Sequence, residues 1–279
     1  MELDARLAAL PPLGGFFVLR TGEPPHGPLP TLAEAYAPAV ACAGDPRDAI
    51  GDARGATGDT RDAIGDARGV TGDIQGAAGD PLADRVRRVA DGIAAPEARV
   101  AASVAQQALA ARLWSVALGC AVRYGRIPDL DPRLLRWDPA GSAPDDLWLT
   151  APRPGAGGDA ASVAEAVLHG HLRPLAAALR ARHRLAPGLL WGNAASALAG
   201  AARQLTRRAQ ELGRPDAGEH VRALAARILA HPLLAGTGTL TGAGFRRRSC
   251  CLYYRVPGGG VCGDCCFTRP PRSPRPRPR

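Results

Sequence analysis

Ser249 to Cys266 reads SCCLYYRVPGGGVCGDCC, and five of the seven cysteines of the chain fall inside it. Cys250 and Cys251 are adjacent, ten residues follow, and Cys262 and Cys265 then form a C-x-x-C pair. Pro257 and the run Gly258, Gly259, Gly260 permit a tight reversal that brings the two pairs together. A C-x-x-C pair offers two thiolates to one metal. Adjacent cysteines suit tetrahedral zinc less well, because neighbouring side chains of extended backbone point to opposite faces, and structural zinc ligands usually recur as C-x(2–4)-C. A two-iron cluster is wider than one ion and takes four thiolates spread around it, although the usual ferredoxin spacings are not matched. Iron–sulfur cluster, zinc and disulfide or reactive thiols therefore all stand as readings of these residues.

Outward from the cysteines, the charge is as unevenly placed as the thiols. The chain has 279 residues and a net charge of +9, but Thr268 to Arg279 alone holds five arginines and no acid. Arg246, Arg247 and Arg248 add a run just before Cys250, while Gly44 to Asp80 carries eight aspartates against four arginines. What remains is mildly basic, which excludes a domain evenly coated for nucleic acid, and no nucleic-acid partner is expected. The arginine–proline end reads as an extended polyproline-like arm, able to contact anionic lipid or an acidic partner. Beside a cluster, Arg246, Arg247, Arg248 and Arg255 would favour its more negative reduced state or dock an acidic electron donor; alternatively they form a solvated surface run.

Apolar residues make up 46% of the chain, which places it among globular proteins, and with aromatics at only 4% much of that content is small. Gly-Asp recurs every seven residues from Gly44 to Gly79, and RDAIGDARG occurs twice, from Arg47 and from Arg61. A glycine in every heptad argues against a coiled coil, so residues 44–80 read as a flexible insertion. From Pro81 the pattern turns helical. Leu82 to Ile93 is amphipathic, and Glu97 to Tyr124 carries Leu109, Leu113, Val116 and Cys120 at helical spacing before Gly125. Gln106, Gln107 and Arg112 interrupt this long run, which therefore reads as a buried helix and not as a membrane span of about 20 apolar residues. Leu168, Leu172, Leu175 and Leu179 form a stripe that Pro174 should kink or split. Trp191, Leu198, Leu205 and Leu212 repeat in the next helix, and Asp216 with Glu219 has capping-box spacing before Val221, Leu224 and Ile228. GTGTLTGAG reads as a linker. Residues 14–20 and Leu147 to Thr150 read as strands, and Thr31 to Cys42 as a short helix.

The expected fold class is thus mainly α with a few short strands. Its parts are an N-terminal segment 1–43, the repeat 44–80, a helical domain 81–244, a cluster-binding motif 245–267 and a disordered arm 268–279. Gly155, Gly157 and Ala160 mimic a dinucleotide fingerprint, but Pro152 and Pro154 break its strand-to-turn junction and a loop is expected instead. His169 and His171, two apart on a helix, face different ways and read as ordinary surface or core residues. MELDARLAAL has no basic region and no long apolar core, so no targeting signal is read there. Clustered thiols outside a disulfide framework point to the cytoplasm.

The spacing C-C-x10-C-x2-C, after an arginine run and a Leu/Tyr-rich stretch, resembles the signature of the FhuF-like ferric siderophore reductases. The segment LLWGN, Leu189 to Asn193, is similar to a feature of the same family and carries no assigned role. The resemblance implies a 2Fe-2S cluster with Cys250, Cys251, Cys262 and Cys265 as ligands, and Cys266 stands beside them as an extra thiol, placed for exchange with Cys265. It further implies one-electron reduction of a ferric siderophore, of hydroxamate type, by way of an unidentified electron donor, with release of Fe(II) in the cytoplasm. No acid–base residue is required for that chemistry, because Fe(II) is softer and less charged and is held weakly by hard oxygen ligands. Peripheral contact with the inner face of the membrane is expected of the arginine–proline arm.

Overall fold

The computed structural model describes residues 13–38, 79–242 and 244–271. The Gly-Asp repeat from 44 to 78, Cys42 and the last eight residues lie outside them. Gly15–Phe17 is a single 3-10 turn, and only Arg20–Thr21 (β1) follows as strand. The strand expected over residues 14–20 is this short because the Phe16 and Val18 carbonyls accept hydrogen bonds from the Arg112 guanidinium and not from a neighbouring strand. Leu32–Tyr36 (α1) opens on a full capping box. The Thr31 hydroxyl accepts from the Glu34 N–H at 3.1 Å, and the Glu34 carboxylate accepts from the Thr31 N–H at 2.6 Å.

Pro81–Gly92 (α2) starts on the Asp80 carboxylate, which accepts from the Leu82 and Ala83 N–H groups. Ala98–Tyr124 (α3) ends where Gly125 takes a left-handed φ of 69°, a conformation that a Cβ would strain. Short strands follow at Arg126–Pro128 (β2), Leu135–Trp137 (β3), Leu147–Leu149 (β4) and Pro154–Gly157 (β5). β4 is central in a small sheet, parallel to β1 and antiparallel to β3, and β5 pairs antiparallel with β2. β5 replaces the loop expected around Gly155. The Asp159 carboxylate already occupies the N–H groups that a phosphate would need, accepting from Ala161 and Ser162 at 3.0 and 3.1 Å.

Ala160–Ala164 (α4) runs into a π-helical stretch, Glu165–Leu172, and then Arg173–His183 (α5). Pro174 falls in the first turn of α5, where its missing N–H costs least, and the wider turn before it absorbs the break. Leu168, Leu172, Leu175 and Leu179 all stay on the buried side. Pro187–Glu211 (α6) and Pro215–Leu229 (α7) complete the helices. Leu198 and Leu205 are buried, but Leu212 lies past the end of α6 and is exposed. The capping box expected at Asp216 does not form. Pro215 sets the helix start, so Asp216 is already helical, and no side chain caps this end. Val221, Leu224 and Ile228 are buried as their spacing requires.

The most extensive packing is α3 against α6, with α6 against α7 next. Both faces of the α3–α6 seam are rich in buried alanine, which lets the helix backbones approach closely. The polar residues that interrupt α3 tie it to other elements. Arg112 forms a buried ion pair with Asp146 at 2.8 Å, and the Gln106 amide donates to the Leu190 carbonyl at 3.2 Å. Across the same seam Trp114 Nε1 donates to the Ala194 carbonyl at 3.1 Å. His171 is fully buried and neutral. Its Nε2–H donates to the Leu130 carbonyl at 2.6 Å, which leaves Nδ1 to accept from the Tyr36 hydroxyl at 3.1 Å. His169 Nε2 instead meets His231 Nε2 at 3.5 Å.

The residues expected to link the helices to the cysteines form a hairpin, Gly238–Thr241 (β6) with Gly244–Arg247 (β7). The alternation of a strand therefore governs the arginine run. Phe245 and Arg247 point inward, and Arg246 and Arg248 outward.

Candidate metal centre

β7 delivers the chain to Cys250 and Cys251. Leu252 turns it with a φ of 70°, and a 3-10 turn over Tyr253–Arg255 begins the return. The Gly259 N–H donates to the Val256 carbonyl at 2.8 Å in the glycine run, and the Cys265 N–H closes the C-x-x-C turn on the Cys262 carbonyl at 3.0 Å. This reversal brings Cys251 Sγ to 3.6 Å from Cys262 Sγ, one thiol from each pair. Cys251 is buried; Cys250, Cys262, Cys265 and Cys266 are half-buried. Backbone N–H groups already point at two sulfurs, Leu252 at Cys250 (3.3 Å) and Phe267 at Cys265 (3.4 Å).

The thiols act on one another electrically. The hydrogen bond between the Cys251 and Cys262 thiols, against the opposing effect of burial, lowers the Cys251 pKa to about 7. The same bond and then burial push Cys262 up. Burial raises Cys250, with Cys266 and Cys265 adding like-charge repulsion, and burial likewise raises Cys266, with Cys265 adding to it. Arg247 acts to lower Cys250, Cys251, Cys262 and Cys266 alike, with the shift at Cys251 and against it at the other three.

Arg247 is only 2% exposed, although it lies in a run readable as solvated surface. Its guanidinium donates to neutral acceptors alone: the Asn193 side-chain oxygen, the Leu189 carbonyl at 3.4 Å and the Gln107 side-chain oxygen at 3.3 Å. Its Nε has no hydrogen-bond partner, and among the described residues no carboxylate pairs with it. A buried cation without a counter-charge is expensive. Thiolates, or an anionic group held by them, supply that charge. Among the described residues no three His, Cys, Asp or Glu side chains are grouped closely enough to hold a metal ion. An all-thiolate set beside a buried, uncompensated guanidinium fits a wider, negatively charged group.

Asn193 links this cation to the cysteines. Its amide donates to both oxygens of Ser103 at 3.0 Å, and the Ser103 hydroxyl donates to the Cys251 carbonyl at 2.8 Å. Gly192 precedes it because a Cβ there would lie 2.2 Å from Ser249 Oγ. The LLWGN segment is thus where α6 lets the cysteine segment cross. On the other side of the motif, the Asp264 carboxylate accepts from the Ser196 hydroxyl at 2.6 Å and pairs with Arg203 at 3.1 Å. Arg255 pairs with Glu97 at the start of α3 and so anchors the returning segment. Ser103, Ser196 and Arg203 carry no local signal, since small hydroxyls and helix arginines occur throughout the chain.

Beside the motif lies a hollow of about 970 Å³, lined by Phe16, Gly200, Arg207, Arg222 and Leu240 and reaching Cys262 and Asp264. Between Ala197 and Ala202 the α6 residues that line it are alanine and glycine, which leave space that larger side chains would fill.

A helical body carrying an all-cysteine C-terminal site defines a protein that binds an iron–sulfur cluster or zinc through thiolates. Two family models match it. "Ferric iron reductase FhuF-like transporter" covers residues 106–241, and "FhuF 2Fe-2S C-terminal domain" covers residues 247–267, together more than half of the chain. The chain belongs to the FhuF-like ferric iron reductase family and carries that family's 2Fe-2S domain. No curated protein matches it.

Proposed function

We propose that this protein reduces a ferric siderophore and releases Fe(II) in the cytoplasm, with Cys250, Cys251, Cys262 and Cys265 holding the 2Fe-2S group. One observation carries the reading: the loop that brings Cys251 to 3.6 Å from Cys262 also presents Cys262 to the hollow of about 970 Å³. An electron carrier that meets only protein acceptors needs no such space; a chelate reductase does, and the volume suits a small-molecule ligand.

A 2Fe-2S group held by these cysteines would supply one electron to the ferric ion, Fe(III) + e⁻ → Fe(II), the electron coming from an external one-electron donor. The chain's own residues prepare the site. Arg247 places a buried positive charge beside the thiolates and favours the more electron-rich state, which raises the potential. The N–H groups of Leu252 and Phe267 act in the same direction on Cys250 and Cys265. Ser103 and Asn193 fix the backbone at Cys251, and Ser196 with Arg203 fixes Asp264 between the C-x-x-C cysteines. The exposed Arg246 and Arg248 are left to dock an acidic donor. Among the described residues no helix is long and apolar enough to cross a membrane, and the clustered thiols suit a reducing compartment.

Anaerobic purification followed by visible spectroscopy, with iron and acid-labile sulfide analysis, tests the assignment. The expected result is a 2Fe-2S spectrum that bleaches on reduction and recovers on mixing with a ferric siderophore, as a ferrous-specific chelator traps Fe(II). A colourless protein with stoichiometric zinc and no sulfide would overturn it.

A further inference from the structure

We propose that the electron donor is a small acidic 2Fe-2S carrier protein, and that it docks on a patch beside the cysteine segment with Phe267 and Tyr254 at its centre and Arg246, Arg248 and Arg269 at its rim. The inference rests on the reductase reading above and adds the partner and its landing place.

Among the described residues six large apolar side chains are exposed, and three of them, Tyr253, Val261 and Phe267, lie in the cysteine segment or just past it. Exposed apolar residues scattered singly are ordinary, but a group of them at one site marks a contact surface. Phe267 is held ready for contact. Its ring packs edge-to-face on Tyr254, with centroids 6.0 Å apart. Tyr254 is itself held by Arg255, which lies over its ring at 5.7 Å and pairs with Glu97. Rings fixed before binding lose little conformational freedom on docking. Phe267 also touches the metal site, since its N–H donates to Cys265 Sγ at 3.4 Å. A partner that covers Phe267 therefore lies against the edge of the thiolate set.

Charge selects the partner. Arg246 and Arg248 point outward from β7, and the Arg246 guanidinium reaches across to donate to the Cys266 carbonyl at 3.3 Å, next to Phe267. That acceptor is neutral and leaves the charge uncancelled. Arg269 is exposed two residues further on, and none of these three arginines forms an ion pair among the described residues. From Gly238 to Pro271 the one acid is Asp264, which is buried and already paired with Arg203. Aromatic rings rimmed by arginine and free of exposed carboxylates have the composition of a protein interface, and their sign calls for an acidic face. A second copy of this chain would bring the same cations and be repelled. An anionic membrane would match the charge but bring no electron to the thiolates that the patch borders. The reduced carrier gives up one electron, the 2Fe-2S group held by the cysteines takes it up, and the carrier leaves oxidised.

The probe is an acidic plant-type 2Fe-2S ferredoxin, titrated calorimetrically into the anaerobically purified holoprotein. Binding is expected at low salt and should weaken at least about tenfold as salt screens the rim. The double variant Arg246→Gln, Arg248→Gln should weaken it about tenfold at low salt and have little effect at high salt. Phe267→Ala should weaken it about tenfold at either salt, because its contribution is apolar, while Phe267→Leu should retain most of the affinity. Arg180→Gln on α5, a change of net charge in another element, should stay within about twofold. Iron content and visible spectrum, measured for each variant, show that the cysteine site is intact. No binding of the ferredoxin, or binding that neither the arginine pair nor Phe267→Ala weakens, would overturn the proposal. Binding to phosphatidylserine-containing vesicles that these variants abolish, with no binding of the ferredoxin, would assign the patch to the membrane and overturn it as well. Either result in a protein that has a 2Fe-2S spectrum and reduces a ferric siderophore overturns the docking assignment alone. Absence of the spectrum overturns the reductase reading and takes this inference with it.

Discussion

Along α3 every turn from Val100 to Ala121 contributes buried side chains, most of them alanine, leucine or valine. From Ser249 to Cys266 only Cys251, Val256 and Asp264 are buried. The helical body is held by apolar area spread over many residues, while the cysteine segment is held by a few directional bonds to α3 and α6. Area is redundant, so the body should tolerate losses one at a time. A segment fixed by Ser103, Asn193, Ser196 and Arg203 can lose its geometry through one polar substitution without unfolding the helices. The metal site therefore rests on the body, and the body does not rest on the site.

The sharpest separation of the two comes from Cys262→Ser. Iron and acid-labile sulfide should fall to background while the far-ultraviolet circular dichroism of the helices stays unchanged; retained iron would contradict the ligand assignment. Leu198→Ala, at a fully buried position of α6, attacks the body instead and should cost about 2–5 kcal/mol in urea unfolding. Asn193→Ala joins the two regions. It strips Arg247 and Ser103 of a buried partner and should cost about 1–3 kcal/mol, together with faster loss of iron to a chelator.

Mild acid tests the body through a single buried group. Burial lowers the His171 pKa from 6.5 to about 4, so the folded state holds it neutral while the unfolded chain takes up a proton. Its contribution is complete above pH 6.5, declines as pH falls toward 4, and changes no further below that. The urea midpoint of the parent protein should drop across that window more steeply than that of His171→Gln. The smallest effects distinguish a real cap from an apparent one. Thr31→Ala should cost about 1 kcal/mol, because its capping box is complete. Asp216→Asn should cost only about 0.3 kcal/mol, from the helix dipole, because Asp216 caps nothing.

The helices were legible because their signal is local. Leu109, Leu113 and Val116 repeat at the period of the helix they occupy, and Gly125 ends it as a left-handed cap must. Errors arose where a local pattern met a non-local demand. GTGTLTGAG looks like a linker, yet its strand pairs with the arginine run. Arg112 looks like an interruption, yet it holds Asp146 and the N-terminal carbonyls. LLWGN was visible as a segment but had no role until Ser249 and Arg247 were seen to cross it.

Sequence alone determined the donor chemistry, the position of the cysteine pairs and the turn between them, because these depend on residue type and short spacing. Tertiary structure decided which thiols meet, which arginine is buried beside them and where the chelate-sized hollow opens. Those features join residues far apart in the chain, Ser103 to Cys251 across 148 positions and Ser196 to Asp264 across 68. No local period encodes such pairings; only the packing of α3, α6 and the final hairpin brings them together.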